Sequence, residues 1–193
     1  MQRRDFGAEL PPWVDDEVAA APDLDTDEGR MRLLNRLAQR NVAEGIGGPF
    51  AALAVRDGGE VVAAGVNLVL ASGLSSMHAE VVTISVAQAR IGTWDLGAEA
   101  DPLRLYVSWR PCAMCYGAVL WSGVRGLVIA GEGPEVERLT GFDEGPMRND
   151  WAAQLQSRGI EVRIGVLRDE AVAVFERYRD TPGVTVYNAR SGS

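Results

Sequence analysis

Hydrophobic positions along the chain follow two different spacings. Apolar residues three or four positions apart are typical of amphipathic helices, whereas strict alternation or a short unbroken apolar run is typical of strands. The first spacing predicts helices over residues 25–44, 78–90, 111–121, 149–158 and 169–179. The second predicts strands over residues 50–55, 61–70, 103–107, 124–130 and 160–166. Helices and strands therefore alternate over most of the chain, which indicates an α/β protein.

The connections between the strands indicate how they pair. The first two strands are joined by Asp57-Gly58-Gly59, a turn typical of a hairpin. About 29 residues, including a helix, separate the last two strands, which is long enough for a crossover between parallel strands. The element order therefore predicts a three-layer α/β/α sandwich around a five-stranded mixed sheet, with its last two strands parallel.

Length and hydrophobicity indicate one globular domain. The chain has 193 residues, 47% of them hydrophobic, which is enough for a substantial core. We assign residues 28–180 to this domain, residues 1–27 to an irregular N-terminal extension and residues 181–193 to a C-terminal tail. No apolar run approaches the roughly 20 residues that span a bilayer. The charged N-terminus lacks the apolar segment of a secretory signal, so we expect a cytoplasmic protein without membrane contact.

Charge and composition exclude several classes of function. The formal net charge of -8 argues against the phosphate-neutralising surface that a nucleic-acid partner requires. All 19 basic residues are Arg, and the sequence contains no Lys. Schiff-base chemistry, attachment of pyridoxal phosphate and a P-loop all depend on a Lys. These activities are therefore excluded.

The chain contains one His and two Cys, and all three lie in two short motifs. His78 and Glu80 form a His-x-Glu motif, and Pro111, Cys112 and Cys115 form a Pro-Cys-x-x-Cys motif. One imidazole and two thiolates can hold a zinc ion and leave its fourth tetrahedral position open for water, as catalytic zinc sites do. Structural zinc sites are normally closed by a fourth Cys or His, which this chain lacks. The donor set therefore predicts a catalytic zinc site.

The Cys spacing suits the start of a helix. Cys112 and Cys115 are three positions apart and so share one helix face, and Pro111 is expected at the first helical position. A helix N-terminus also lowers the pKa of a thiol, which favours the thiolate that binds metal. A Cys-x-x-Cys motif alone is more often a redox pair or half of a structural zinc site, but neither alternative explains His-x-Glu.

The His motif is predicted to start a second helix. His78 and Glu80 are two positions apart, and in mid-helix they would point to different sides. They converge if His78 stands at the very start of the helix, with Ser75 and Ser76 as expected caps. Glu80 would then lie close to the metal without binding it, as a proton carrier should. We expect the two helix N-termini to meet over one edge of the sheet.

With these motifs the chain resembles the cytidine-deaminase superfamily over about residues 28–170, and within it the bacterial guanine deaminase branch. Both metal motifs belong to the signature of zinc nucleobase deaminases. The pieces that carry the resemblance are Gly47-Gly48-Pro49-Phe50, Asn67, His78-Ala79-Glu80-Val81, the stretch 111–118 and Gly141-Phe142-Asp143. The resemblance implies a zinc-dependent aminohydrolase that acts as a homodimer on a small nucleobase or nucleoside.

The resemblance also implies the role of each site residue. One Zn²⁺ per subunit would be bound by His78, Cys112 and Cys115. The implied catalytic residues are Glu80 and Asp143, both in proton transfer. The implied substrate contacts are Phe50 and Trp109 as walls, the Asn67 amide, the Ala79 backbone N–H, Glu144 and Tyr187. Tyr187 lies in the C-terminal tail, which in that branch closes the site and is exchanged between subunits.

Three alternatives to a guanine-like substrate remain open. A tRNA adenosine deaminase shares the Cys-Ala-Met-Cys stretch but conflicts with the acidic charge. A deaminase of a modified nucleoside or a triazine would explain Arg110 and Ala51, which stand where the branch usually has Glu and Gly. A zinc-stabilised binding module without catalysis would have no need of Glu80. The predicted function is therefore hydrolytic deamination of a purine-type nucleobase or nucleoside.

Overall fold

A computed structural model describes residues 6–188, in which helices and strands alternate as the hydrophobic pattern predicts. The α-helices are α1 (Trp13–Ala19), α2 (Asp27–Ala43), α3 (Val69–Ser72), α4 (Ala79–Ile91), α5 (Ala113–Ser122), α6 (Glu135–Thr140), α7 (Trp151–Gln156) and α8 (Arg168–Asp180). The strands are β1 (Ala51–Arg56), β2 (Val61–Val66), β3 (Leu103–Val107), β4 (Gly126–Ile129) and β5 (Glu161–Ile164). A short 3₁₀ helix, Leu96–Ala98, follows α4.

The strands form one five-stranded mixed sheet in the order β2-β1-β3-β4-β5. β1 pairs antiparallel with β2 and with β3, whereas β3, β4 and β5 are parallel. The predicted mixed sheet, hairpin and parallel final pair are therefore confirmed. Parallel pairing places the C-terminal ends of β3 and β4 side by side, at the end of the sheet where the metal motifs follow.

The core has two layers because side chains alternate across each strand. Leu53 and Val55 of β1 face one cluster with α2 and α8, and Ala52 and Ala54 face another with α4, α5 and α7. The helix ends follow local chemistry. Thr26 caps α2 by accepting a hydrogen bond from the Gly29 N–H at 3.0 Å, which fixes the predicted helix start. The three-layer α/β/α sandwich is confirmed.

Three expectations about local structure are wrong. The N-terminal extension is not irregular throughout, because α1 buries Val14 completely against the core. The second strand ends at Val66 and not at residue 70, because the Asn67 side chain accepts a hydrogen bond from the Val69 N–H and starts α3. Helix α6 lies in a segment where no element was expected. None of the helices in residues 6–188 is long and apolar enough to cross a membrane.

Candidate active site

The three predicted metal ligands converge where two helices begin. His78 is the N-cap residue of α4 and Cys112 is the N-cap residue of α5, both in extended backbone conformation. The His78 Nδ1 atom lies 3.5 Å from the Cys112 Sγ atom, and the Cys115 N–H points at the same sulfur at 3.5 Å. The ligand atoms of all three residues lie within 4.8 Å of one another.

This donor cluster fits a tetrahedral zinc ion. With Zn–S near 2.3 Å and Zn–N near 2.0 Å, donor atoms in such a site lie about 3.5–4 Å apart. Among the described residues, the cluster contains only the imidazole and the two sulfurs, so it has the three-ligand composition of catalytic sites. Two details differ from expectation. Pro111 precedes the N-cap and is not the first helical residue, and His78 itself takes the cap position expected for a serine.

The two sulfur atoms are electrostatically unequal. The hydrogen bond that the Cys115 thiol donates to the Cys112 sulfur lowers the pKa of Cys112 to about 4, despite burial. The same bond, together with burial, raises the pKa of Cys115 above its usual value. Burial lowers the pKa of His78, but its bond to Cys112 and the charge of Glu80 outweigh burial and leave that pKa raised. Cys112 is thus poised as a thiolate ligand, and metal uptake would release the Cys115 proton.

Two buried carboxyl groups lie beside the donor cluster. Glu80 is the second residue of α4 and only 7% exposed, and burial followed by the nearby Cys112 thiolate raises its pKa. Glu144 comes from the loop after α6, is 9% exposed, and has its pKa raised to about 8 by burial and by Cys112 and Glu80. Asp143 is exposed, and its carboxylate accepts a hydrogen bond from the Gly145 N–H at 2.8 Å. Of these two neighbours, only Glu144 is buried beside the donor cluster.

A cavity of about 350 Å³ opens above the donor cluster. The predicted site residues that line it are Phe50, Asn67, His78, Glu80, Trp109, Cys112, Asp143, Glu144 and Tyr187. Cys115 and Ala79 are buried behind this lining, within the first turns of their helices. The site residues chosen from the sequence are therefore brought together at one end of the sheet, and a volume of this size suits a small heterocycle.

Aromatic rings form one wall of the cavity. Phe142 packs edge-on against Phe50, with ring centroids 5.5 Å apart, and its ring is tilted against that of Tyr187, with centroids 4.6 Å apart. A Cβ on Gly48 would lie 2.5 Å from the Tyr187 hydroxyl, so any other residue here would displace the Tyr187 side chain. Trp109 is 2% exposed and packs on Phe175 in the core, so it serves the core as well as the cavity.

The Asn67 side chain is oriented by the start of α3. Its Oδ1 atom accepts the hydrogen bond from the Val69 N–H at 3.1 Å, which leaves the NH₂ group as the donor available to the cavity. Asn67 is 1% exposed, so this donor faces little solvent. The amide is therefore suited to a ring nitrogen or carbonyl oxygen, which are both acceptors.

The sequence did not identify several cavity residues. Phe142 lines the cavity, and the only sequence signal for it is its position between Gly141 and Asp143 in the motif that carries the resemblance. Asn188 gave no signal, because the tail has no periodicity. Its Oδ1 accepts a hydrogen bond from the Asp143 N–H at 3.0 Å, and its Nδ2 donates to the Gly141 oxygen at 2.8 Å. These bonds hold the tail against the loop that carries Glu144.

Arg110 lines the cavity, and its guanidinium is partly committed elsewhere. One terminal nitrogen lies 3.5 Å from the Glu137 carboxylate, which is half-buried on α6. Its Nε atom is buried without a hydrogen-bond partner among residues 6–188. Arg110 stands where the guanine deaminase branch usually has Glu, and it therefore places a positive charge in the lining of the cavity.

Comparisons with known proteins agree with this site. Residues 24–131 match the family model for the cytidine and deoxycytidylate deaminase zinc-binding region. Guanine deaminase of Bacillus subtilis is 39% identical over 108 residues, which span 56% of this chain and 65% of that protein. A tRNA-specific adenosine deaminase of the same organism is 34% identical over 112 residues, spanning 58% of this chain and 64% of that protein.

A solved structure extends the similarity to nearly the whole chain. The structure of a guanine deaminase from Nitrosomonas europaea superposes with a TM-score of 0.86 at 40% identity and covers 94% of this chain and all of that one. Related structures of the Nitrosomonas enzyme hold 8-azaguanine or 2,6-diaminopurine. The family match spans more than half of the chain and includes all three residues of the donor cluster. The chain therefore belongs to the cytidine and deoxycytidylate deaminase family of zinc-binding hydrolytic deaminases.

Proposed function

We propose that this protein is a zinc-dependent aminohydrolase that removes the amino group from a purine-type nucleobase or nucleoside, with a guanine-like substrate favoured. The observation that carries the proposal is the buried Glu80 carboxyl beside the three-donor cluster, at the base of a cavity of about 350 Å³. A merely structural zinc site has no need of a buried carboxyl group at this position. The similarity to guanine deaminases supports the choice of substrate.

Each step of the proposed reaction is assigned to a particular side chain of this protein. His78, Cys112 and Cys115 would hold Zn²⁺, which when bound supplies a Lewis acid that activates water near neutral pH. Glu80 accepts a proton from the attacking water and delivers it to the ring nitrogen next to the reacting carbon. Glu144, which also lines the cavity, takes the proton of the hydroxyl group added to the reacting carbon and gives it to the amino group, which leaves as ammonia while the carbonyl forms. One carboxyl group that acts first as a base and then as an acid is ordinary general acid–base catalysis.

The cavity walls select the substrate. The Asn67 NH₂ group donates to a ring acceptor, and the aromatic rings of Phe50 and Phe142 stack around a flat heterocycle. Tyr187 and Asn188 of the tail line part of the cavity. The net charge of -8 suits a free base or nucleoside better than a base still attached to a polynucleotide.

The test is ammonia release from a panel of substrates by purified, zinc-loaded protein. The panel contains guanine, guanosine, adenine, cytosine, cytidine, a triazine and a tRNA anticodon stem-loop. We expect guanine or guanosine to give the highest kcat/KM. Release from the stem-loop with none from free bases would favour the tRNA adenosine deaminase, the alternative that the 34% identity to that enzyme supports. A preference for the triazine would instead favour a deaminase of a modified nucleoside or a triazine, the alternative that Arg110 motivates.

Substitution of Glu144 and of its neighbour Asp143 tests which of the two carboxyl groups transfers the second proton. We expect Glu144→Gln to lower kcat about 10- to 100-fold, because the amide keeps the shape of the side chain but cannot carry a proton. Asp143→Asn should change kcat less than about threefold, because the Asp143 carboxylate is exposed and bonds to the Gly145 N–H. The measurement is kcat for both variants on the best substrate of the panel. A larger loss for Asp143→Asn would return the proton-transfer role to Asp143.

We also propose that the protein is a homodimer in the cytoplasm. Thiolate ligands persist best in a reducing compartment. On the outer face of α5, Met114 is 41% exposed and Trp121, seven positions later, is 84% exposed, with Trp94 80% exposed on the connection after α4. Exposed tryptophans of this size are typical of protein interfaces. A second copy of this chain would bury them.

The dimer proposal predicts the effect of a charge on α5. Trp121→Glu should shift the protein from dimer to monomer, because an unpaired carboxylate would be buried in the interface. Light scattering coupled to size-exclusion chromatography measures the mass. The matched control is Ile164→Glu, which adds the same charge at a 40% exposed apolar residue on edge strand β5. Dissociation by the control, and not by Trp121→Glu, would place the interface on the sheet edge.

A further inference from the structure

A fully buried amide outside the cavity connects two segments that form its wall. Asn41 lies in the last turn of α2 and is 0% exposed. Its Nδ2 group donates to the Gly48 oxygen at 3.0 Å and to the Asn67 oxygen at 2.9 Å. One NH₂ group therefore joins the loop before β1 to the end of β2. The Gly48 oxygen also accepts a hydrogen bond from the Phe50 N–H at 2.8 Å, so Asn41 is its second partner.

The two joined segments carry two of the proposed substrate contacts. The first segment leads directly into Phe50, and the second is Asn67 itself. The Asn67 N–H donates to the Phe50 oxygen at 3.1 Å, so the two segments also bond to each other. A Cβ built on Gly47 would lie 2.2 Å from the Asn67 oxygen, which shows how closely the segments approach. Any shift of the Asn67 backbone would change where its side chain points.

The Asn41 amide supplies two donors and leaves one of its own acceptors unpaired within residues 6–188. The Asn41 Oδ1 atom is buried and has no hydrogen-bond partner among the described residues. A leucine of similar size would remove this unpaired acceptor, but it would also take the Asn41 donor away from both backbone oxygens. The feature that leucine cannot supply is the pair of donors directed at Gly48 and Asn67.

We propose that Asn41 is a positioning residue for substrate binding, which holds Asn67 and Phe50 in the arrangement that binds the heterocycle. The proposal rests on the proposed function, since it assumes that the Asn67 NH₂ group donates to a ring acceptor. Asn41 does not line the cavity and acts only through its neighbours. Its loss therefore weakens ground-state and transition-state binding alike, which raises KM more than it lowers kcat.

The first experiment compares two buried asparagines of the same helix. Asn41→Leu should raise KM about 10-fold and leave kcat within about threefold and zinc per chain unchanged. Asn35 is 5% exposed on α2, and its Nδ2 atom has no hydrogen-bond partner among residues 6–188. Asn35→Leu is the matched control and should leave KM unchanged. Equal KM in both variants, each assayed well below its own Tm, would overturn the proposal.

A double-mutant cycle shows whether Asn41 acts through Asn67. Asn67→Ala removes the side chain that Asn41 is proposed to position, and by itself it should raise KM. In that background Asn41→Leu should raise KM by less than about threefold further, because interacting residues are not additive. Independent, multiplicative effects of the two substitutions on KM would contradict positioning through Asn67.

Hydrogen exchange separates this proposal from the proposed function. Backbone amides of residues 47–50 and 67–69 should exchange faster in Asn41→Leu than in wild type, and not in Asn35→Leu. If no nucleobase is deaminated by the wild type, the proposed function fails, and exchange alone decides whether Asn41 holds the two segments. Unchanged exchange would overturn the proposal in either case. If Asn41→Leu does not fold, Asn41→Ser takes its place, because its small side chain leaves room for water at both carbonyls.

Discussion

Glu80→Gln should lower turnover by about 10²- to 10⁴-fold while the zinc content stays at one ion per chain. Glutamine keeps the size of the side chain, but it cannot accept the proton of the attacking water. Glu80 is not one of the three clustered donors, so its replacement should leave metal binding intact. The measurements are kcat by ammonia release and zinc by elemental analysis of the same preparation.

The matched control for this substitution is Glu28→Gln. Glu28 is the second residue of α2, as Glu80 is of α4, so both substitutions remove a first-turn carboxylate that favours the helix dipole. Glu28 is exposed and lies far along the chain from the metal motifs. Its replacement should therefore leave kcat unchanged. Near-normal turnover of Glu80→Gln, or loss of its zinc, would contradict the assigned role.

The elements that could be predicted from the sequence are those with a clear period or a clear boundary. Helix α2 has a threonine cap and an apolar face at helical spacing, and β3 alternates strictly, so both were found within a few residues. The end of β2 could not be found, because residues 68–70 remain apolar, whereas the strand ends at Val66. The Asn67 oxygen is bonded to the distant Asn41 amide and the Asn67 side chain to the Val69 N–H, and a hydrophobic pattern shows neither bond. The short helix α1 was missed because Val14 is its only buried residue and gives no period.

The metal cluster was predictable for a different reason. The chain contains one imidazole and two thiols, so only one set of three nitrogen and sulfur ligands is possible. The helix starts at His78 and Cys112 bring these ligands together. The choice between Asp143 and Glu144 was not predictable. Neighbouring residues in an irregular loop differ in burial in a way that only the backbone path determines, and here Glu144 is buried whereas Asp143 is exposed. The contact of Asn188 with this loop could not be predicted for the same reason.

Cys115→Ser should abolish stoichiometric zinc binding and, with it, activity. Cys115 is fully buried at the first turn of α5, with its ligand atom within 4.8 Å of those of His78 and Cys112. Serine is a poor zinc ligand, because its hydroxyl does not ionise near neutral pH. Two remaining donors cannot hold the ion against dilution and washing. Elemental analysis should find about one zinc per chain in the wild type and a small fraction of that in the variant.

Thermal stability provides a second readout of the same site. Free zinc at about 1,000 times its Kd stabilises a folded protein by about 4 kcal/mol. For a domain of this size each kcal/mol raises Tm by about 2–4 °C, so zinc should raise the wild-type Tm by about 10 °C. The same addition should leave the Tm of Cys115→Ser unchanged, because the free energy of binding that stabilises the fold is lost with the ligand.

The control for general destabilisation is Ser122→Ala, at the other end of α5. Ser122 is 1% exposed, and its hydroxyl donates to the Val119 oxygen and accepts from the Val124 N–H. Its loss should lower Tm by a few degrees, because each lost hydrogen bond costs about 1 kcal/mol. The zinc-dependent rise of about 10 °C should remain, since the donor cluster is untouched. A zinc-dependent rise in Cys115→Ser, or none in the wild type, would show that these three residues do not form the metal site.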